Sequence, residues 1–239
     1  MIFLKKKLLY SGKAKSVYET ENPGFLIIEF RDDITAFDGE KHEKLARKGT
    51  VNNQINAHIM QMLKEASIPI HFERIIPPQA AVVRQLKMIP LECVVRNIAA
   101  GSLCHRLGVT SGLQLNPPLY ELFLKNDALH DPMVTEDHVL SFNWATRNYL
   151  DQIKMLSLKI NGILFSLFSN ASLILVDAKY EFGISNGEVY LGDEISPDSC
   201  RIWDAKTKKS LDKDRFRKDL GRVVESYEKI AHRLKIPLQ

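Results

Sequence analysis

Asp177, Lys179 and Glu181 occupy every second position of an otherwise apolar run. In an extended strand, residues two apart share a face. These three therefore share one face, while Val176, Ala178, Tyr180 and Phe182 take the other and pack on the core. Two carboxylates around an ammonium are costly to bury unless that face lines a cleft that holds a cation and anions. A solvated charged hairpin face is the alternative reading of the same spacing. Asn186-Gly187 is a hairpin signal, and the returning strand brings Asp193 and Glu194. A two-residue turn would pair Ser185 with Glu188 and set Glu181 and Asp193 on opposite faces. A three-residue loop over 186–188 would instead place Asp193 across from Glu181, at the ~5 Å of cross-strand neighbours, close enough to share one Mg²⁺. The reading therefore expects the odd loop or a bulge, and a plain two-residue turn with no bulge would sink the shared-metal idea as the hairpin spacing carries it.

Gly12, Lys13, Ala14 and Lys15 fall at the tip of an earlier hairpin. Glycine there permits close backbone approach to phosphate and the lysines add positive charge, although lysine-rich tips are also ordinary soluble turns. No G-x-x-x-x-G-K-[ST] motif occurs in the chain. In the segment RNIAAGSLCHR (96–106), small residues lead into a short helix, so Arg96, Ser102 and free backbone N–H groups could seat a phosphate; a close-packed turn is the alternative. The histidines at 42, 58, 71, 105, 130, 138 and 232 show no metal-ligand spacing, and no G-x-S-x-G elbow is present.

The elements that must position these residues read as strands first and helices later. Strands are expected over 8–10, 16–20 and 25–30, then a helix over 51–66 capped by Thr50. Two further strands, 80–86 and 91–96, flank a connector at 87–90 that Pro90 would interrupt. A proline-rich loop is expected at 116–118 and a polar stretch at 125–131. A long helix is expected over 144–169, weakened at Gly162, and a closing helix over 212–234. This is an α+β pattern with a mostly antiparallel sheet.

The 239 residues suit one large domain or two lobes that share a core. Apolar residues at 45% exclude a wholly disordered chain. Cys93, Cys104 and Cys200 form no CxxC pair, which argues against a disulfide framework or a cysteine zinc site. No signal peptide or membrane span is evident, so the cytoplasm is the expected location. A net charge of +4 names no partner, and the lack of an aromatic-rich RNA-binding strand or a continuous basic stripe argues against nucleic acid.

Seven stretches, in order, resemble the SAICAR synthetase family: LYSGKAKSVYET (9–20), FRDDITAFDG (30–39), RKGTVNNQIN (47–56), PLECVVRNIAAGS (90–102), LFLKNDALHDPMV (122–134), LVDAKYEFG (175–183) and LGDEISPDSCRIWD (191–204). The resemblance covers nearly the whole chain. It implies an ATP-dependent ligase that joins the carboxylate of carboxyaminoimidazole ribonucleotide (CAIR) to the amine of L-aspartate, giving SAICAR, ADP and phosphate. The implied fold is α+β, two lobes with an ATP cleft between them and nucleotide placement similar to protein kinases and ATP-grasp enzymes. The implied lid over ATP is Gly12, Lys13, Ala14 and Lys15, with Leu86 to Met88 as adenine hinge and Lys125 as a further nucleotide contact. Glu181 and Asp193 would hold Mg²⁺. Arg96, Ser102 and Arg201 would seat the substrate phosphate, and Asp177 and Asp198 would face the ribose or the reacting end. Lys179 would contact phosphate or the reacting carboxylate, and Asp38 would orient the amine or take its proton. A homodimer is also implied. A small-molecule kinase is the nearest rival, separable by whether ADP formation requires L-aspartate.

Overall fold

β-branched and aromatic runs broken by turn residues build the start of the chain. The computed structural model describes residues 3–238; the side chain of Asp38 lies outside the described part. Strands β1 (Leu8–Ser11), β2 (Lys15–Glu19) and β3 (Phe25–Phe30) form an antiparallel meander. A small ribbon, β4 (Asp33–Ala36) and β5 (Lys41–Lys44), leads into α1 (Lys48–Glu65). β6 (Phe72–Ile76) and β7 (Ala80–Arg84) complete a sheet ordered β1-β2-β3-β7-β6.

Gln85 and Leu86 carry the chain into a second antiparallel sheet. Its members are β8 (Lys87–Ile98), β9 (Gln114–Leu124) and β10 (Met133–Val134), then β11 (Leu173–Ser185), β12 (Glu188–Gly192) and β13 (Cys200–Asp204). The order is β10-β9-β8-β11-β12, with β13 paired to the first half of β11. Short helices α2 (Ser102–Leu107) and α3 (Glu136–Ser141) decorate the connections, and the long α4 (Arg147–Asn170) covers one face of the second sheet. The chain closes with α5 (Asp214–Arg217) and α6 (Val223–Arg233), the latter packed on α1. One buried apolar cluster runs from α1 through both sheets to α4 and α6. A bridge between Ile70 and Leu191 and the His71 N–H donated to Leu191 O tie the two sheets together.

Five expectations are corrected. The turn after β11 is a plain two-residue one. Ser185 pairs with Glu188 and Glu181 with Gly192, without a bulge, so the cross-strand argument for a shared metal ion is withdrawn. Pro90 lies inside β8, not in a connector, because the β8–β11 register shifts beside it and no ladder donor is needed there. Asn116-Pro117-Pro118 likewise belongs to β9, where the register with β8 shifts between Arg96 and Ile98. The closing helix is two helices. Asp219, Gly221 and Arg222 adopt positive φ, and Arg215 donates to the carbonyls of Leu220 and Gly221, so the chain turns between α5 and α6. The first long helix starts earlier than expected, at Lys48 and not Val51. Asp32 accepts from the Arg47 and Gly49 N–H groups, capping it from a distant loop in place of Thr50. α4 runs through Gly162 unbroken.

Candidate active site

The alternation of β11 sets the floor of the site. Val176, Ala178, Tyr180 and Phe182 are buried in the core, and Asp177, Lys179 and Glu181 line a cleft of about 650 Å³. The β1–β2 turn, β3, β7, β8 and the segment after β12 form the other walls. Every charged residue predicted for the site whose side chain is described lines this cleft. Gly12, Ala14, Leu86 and Met88 line it as well.

At one end the β1–β2 hairpin is closed by the Gly12 N–H donating to Lys15 O at 2.8 Å. Lys13 reaches Asp127 at 2.9 Å, joining the tip to the 125–131 segment of the second sheet. Lys15 pairs with Asp193 and, at 2.9 Å, with Glu194. Burial alone would lower the Lys15 pKa, but the two carboxylates raise it above the ordinary lysine value. Asp193 is pulled below the usual carboxylate range: burial opposes this, and Lys15, Lys179 and Lys125 outweigh it. Asp193 reaches the cleft by leaving the strand. It follows the last residue of β12 with φ at 53°, and His71 Nε2 bonds its carbonyl at 2.8 Å. Burial depresses the His71 pKa to about 4, so the imidazole is neutral and that nitrogen donates.

Glu181 is 3% exposed and accepts from Lys125 and, at 3.2 Å, from Lys179. Lys179 also donates to Glu92 at 2.5 Å. Burial would lower the Lys179 pKa; Glu181 and Glu92 raise it above its ordinary value, so it stays charged. Behind these groups sit Leu86 and Met88. A Cβ on Gly183 would lie 2.7 Å from the Leu86 Cβ and 3.0 Å from the Met88 sulfur. The absence of side chains at Gly183 and Gly192 is what lets the segment lie flat against β11 and β12.

At the other end Arg96, 2% exposed, donates to Glu121 at 2.7 Å, Asp177 at 2.8 Å and Ser102 at 3.2 Å. Arg201 donates to the same Asp177 oxygen at 2.9 Å and to Asp214 at 3.1 Å. Its guanidinium lies on Gly101, where a Cβ would come within 2.4 Å. The predicted phosphate seat is therefore gathered in space, with Asp177 as the counter-ion shared by both arginines. Ser102 joins it through Arg96. Asp198 accepts from Lys48 at 2.6 Å, Asn52 at 2.9 Å and Tyr227 at 2.7 Å. Burial would raise its pKa, but Lys48 and its other donors hold it below the usual carboxylate range. Asp38 belongs to the short turn Phe37–Gly39, and its side chain lies outside the described part. Lys48, His71, Glu92, Lys213 and Arg217 were not singled out from sequence. Lys48 lies within the RKGTVNNQIN stretch, whereas Lys213 and Arg217 carried only the look of a charged helix surface.

Two carboxylates and a set of lysines at one end, and an arginine pair at the other, define an enzyme that binds phosphorylated ligands between two antiparallel sheets. Residues 8–234 match the family model described as SAICAR synthetase. The chain belongs to the SAICAR synthetase family. It is 77% identical to a phosphoribosylaminoimidazole-succinocarboxamide synthase of Coxiella burnetii, with 98% of each chain covered. A crystal structure of the corresponding synthase from Ehrlichia chaffeensis superposes with a TM-score of 0.95 at 44% identity, over 98% of this chain and 100% of that one. A SAICAR synthetase solved in complex with ADP gives 0.93 at 43% identity, over 96% and 98%. Among the described residues no helix is long and apolar enough to cross a membrane.

Proposed function

We infer that this protein is the ATP-dependent ligase that converts CAIR and L-aspartate to SAICAR, ADP and phosphate in purine biosynthesis. The observation that carries the reading is the convergence of Lys15, Lys125, Lys179, Glu181, Asp193, Arg96 and Arg201 on one cleft, in a chain 77% identical to a named synthase across its length. A carboxylate is a poor electrophile because its oxygen leaves badly. Transfer of the γ-phosphoryl group to it gives ADP and an acyl phosphate. The aspartate amine then attacks the carbonyl carbon, the carbon–oxygen bond breaks, phosphate departs and the amine loses a proton. The protein's part is to position the reactants and to stabilise charge that moves off the phosphoryl group.

In this reading Gly12, Lys13, Ala14 and Lys15 lie over the ATP phosphates with Lys125. Leu86 and Met88 meet the adenine, and Lys179 meets the transferred phosphoryl group or the reacting carboxylate. Arg96, Ser102 and Arg201 hold the substrate phosphate. Asp177 and Asp198 flank the ribose and the reacting end, and Asp38 serves the incoming amine. Residues 1–89 act as the lid-bearing lobe and 90–239 as the substrate lobe.

Glu181 and Asp193 would hold Mg²⁺. Among the described residues no group of three or more His, Cys, Asp or Glu side chains is placed to cage a metal ion. Two hard carboxylates fit the ion that takes one or two carboxylates and completes its shell with water and substrate phosphate oxygens. When bound it would neutralise charge on the nucleotide phosphates. A homodimer and a cytoplasmic location belong to the same reading; light scattering at working concentration tests the first. The ligase reading itself is tested against a small-molecule kinase by following ADP with ATP, Mg²⁺ and CAIR present. Steady ADP release only after L-aspartate is added supports the ligase, and equal release without it supports the kinase.

A further inference from the structure

Among the described residues, one cation of the cleft is claimed by no side chain. Lys213 precedes α5, and its backbone N–H donates to Pro197 O at 3.1 Å, which fixes it against the loop that carries Asp198. Its side chain lines the cleft. Among the described residues every other lysine and arginine there has a carboxylate partner, whereas Lys213 has neither an ion pair nor a side-chain hydrogen bond. Burial lowers its pKa to about 8; Asp198 and Glu194 oppose that shift, and Arg217 and Lys48 add to it. Lys213 is half-buried, and a partly desolvated ammonium without a partner carries a cost that falls when a ligand anion joins it.

The surroundings narrow the ligand. In the ligase reading, on which this inference rests, the two phosphates and the reacting carboxylate already have cations. The remaining substrate is a dicarboxylic amino acid. Lys213 and Arg217 stand beside Asp198 and Glu194, a field of mixed sign that suits a zwitterion better than a phosphate dianion. We propose that Lys213 is the specificity-determining residue for the amino-acid substrate, its ammonium receiving one of that substrate's carboxylates.

Two measurements on the full chain test this. In the first, KM values for L-aspartate, CAIR and ATP are compared for wild type, Lys213→Gln and Lys213→Arg. The expected result is an L-aspartate KM raised about tenfold or more in the Gln variant, the loss of one charge-assisted contact. The CAIR and ATP values stay within about twofold, and the Arg variant recovers most of the loss. An unchanged L-aspartate KM, a rise confined to CAIR, or a common rise in all three would overturn the assignment. The second measurement does not need turnover. Wild type is acylated with an amine-reactive ester at pH 8, and modification of Lys213 is followed by peptide mass spectrometry with and without succinate, the same dicarboxylate without an amine that would consume the reagent. Protection by succinate supports the proposal; equal modification overturns it even if the enzyme is active. A wild type that forms no SAICAR refutes the ligase reading, while protection of Lys213 remains readable by itself.

Discussion

Gly183→Ala is the sharpest probe of the proposed nucleotide hinge, because glycine there is required by space and not by backbone torsion. The new Cβ would sit 2.7 Å from the Leu86 Cβ, 3.0 Å from the Met88 sulfur and 3.1 Å from Lys87 O. Carbon atoms pack best at about 3.5–4.0 Å, so the 86–88 segment must retreat from β11 by about 1 Å. Gly183 pairs with Met88 across the β8–β11 ladder, which limits how freely the strands part. Overpacking of this kind costs about 1–3 kcal/mol, which for a chain of this size lowers Tm by roughly 2–12 °C. A shift of about 1 Å also exceeds the tolerance of a hydrogen bond. Losing one backbone contact to adenine, about 0.5–1.5 kcal/mol, weakens ADP by about 2- to 13-fold. Calorimetric titration with ADP and with CAIR separates the effects: ADP binding should weaken and CAIR binding should hold. An alanine variant with wild-type ADP affinity would refute the hinge reasoning, and equal losses for both ligands would mark a general disturbance of the fold.

Three further outcomes are expected. Glu181→Gln or Asp193→Asn should raise the Mg²⁺ concentration needed for half-maximal nucleotide binding by about tenfold or more, and normal Mg²⁺ dependence in steady-state kinetics would remove that carboxylate from the metal site. Arg201→Lys should mainly raise the KM for CAIR, because an ammonium cannot reproduce a guanidinium's forked contact with phosphate; an unchanged KM would place the phosphate elsewhere. Burial, aided by Asp214, raises the Asp212 pKa from 3.8 to about 6. The folded state therefore binds the proton more tightly, and this stabilisation is full below pH 3.8 and lost as pH rises through 6. Relative to wild type, Asp212→Asn should gain up to about 1.4 kcal/mol per pH unit across that window, read from urea unfolding at pH 4.5 and 6.5; a pH-independent gap would contradict it.

The alternation of Asp177, Lys179 and Glu181 was readable in advance because a strand has a period of two and the opposite face was wholly apolar. The place of Asp193 in the cleft was readable only as a residue, not as a route. Ladder arithmetic required a bulge, whereas the chain uses a positive φ held by His71 and Lys15, contacts from the other sheet that no local rule contains. Pro90 and Pro117 misled for a similar reason: each sits where a register shift frees its strand from the need for a donor. The closing helix looked continuous because Phe216, Leu220 and Val223 keep an apolar spacing across the break, yet Leu220 is 51% exposed. Lys48 and Lys213 were hidden in plain composition: burial separates Lys48 from surface lysines, and its place in the cleft separates the half-buried Lys213.

The most direct test of the ligase account follows oxygen. CAIR carrying ¹⁸O in its carboxylate is turned over with ATP, Mg²⁺ and L-aspartate, and the released phosphate is read by ³¹P NMR. If the cleft phosphorylates the carboxylate before the amine attacks, each phosphate carries one oxygen from CAIR. Phosphate free of the label, alongside SAICAR formation, would contradict the account.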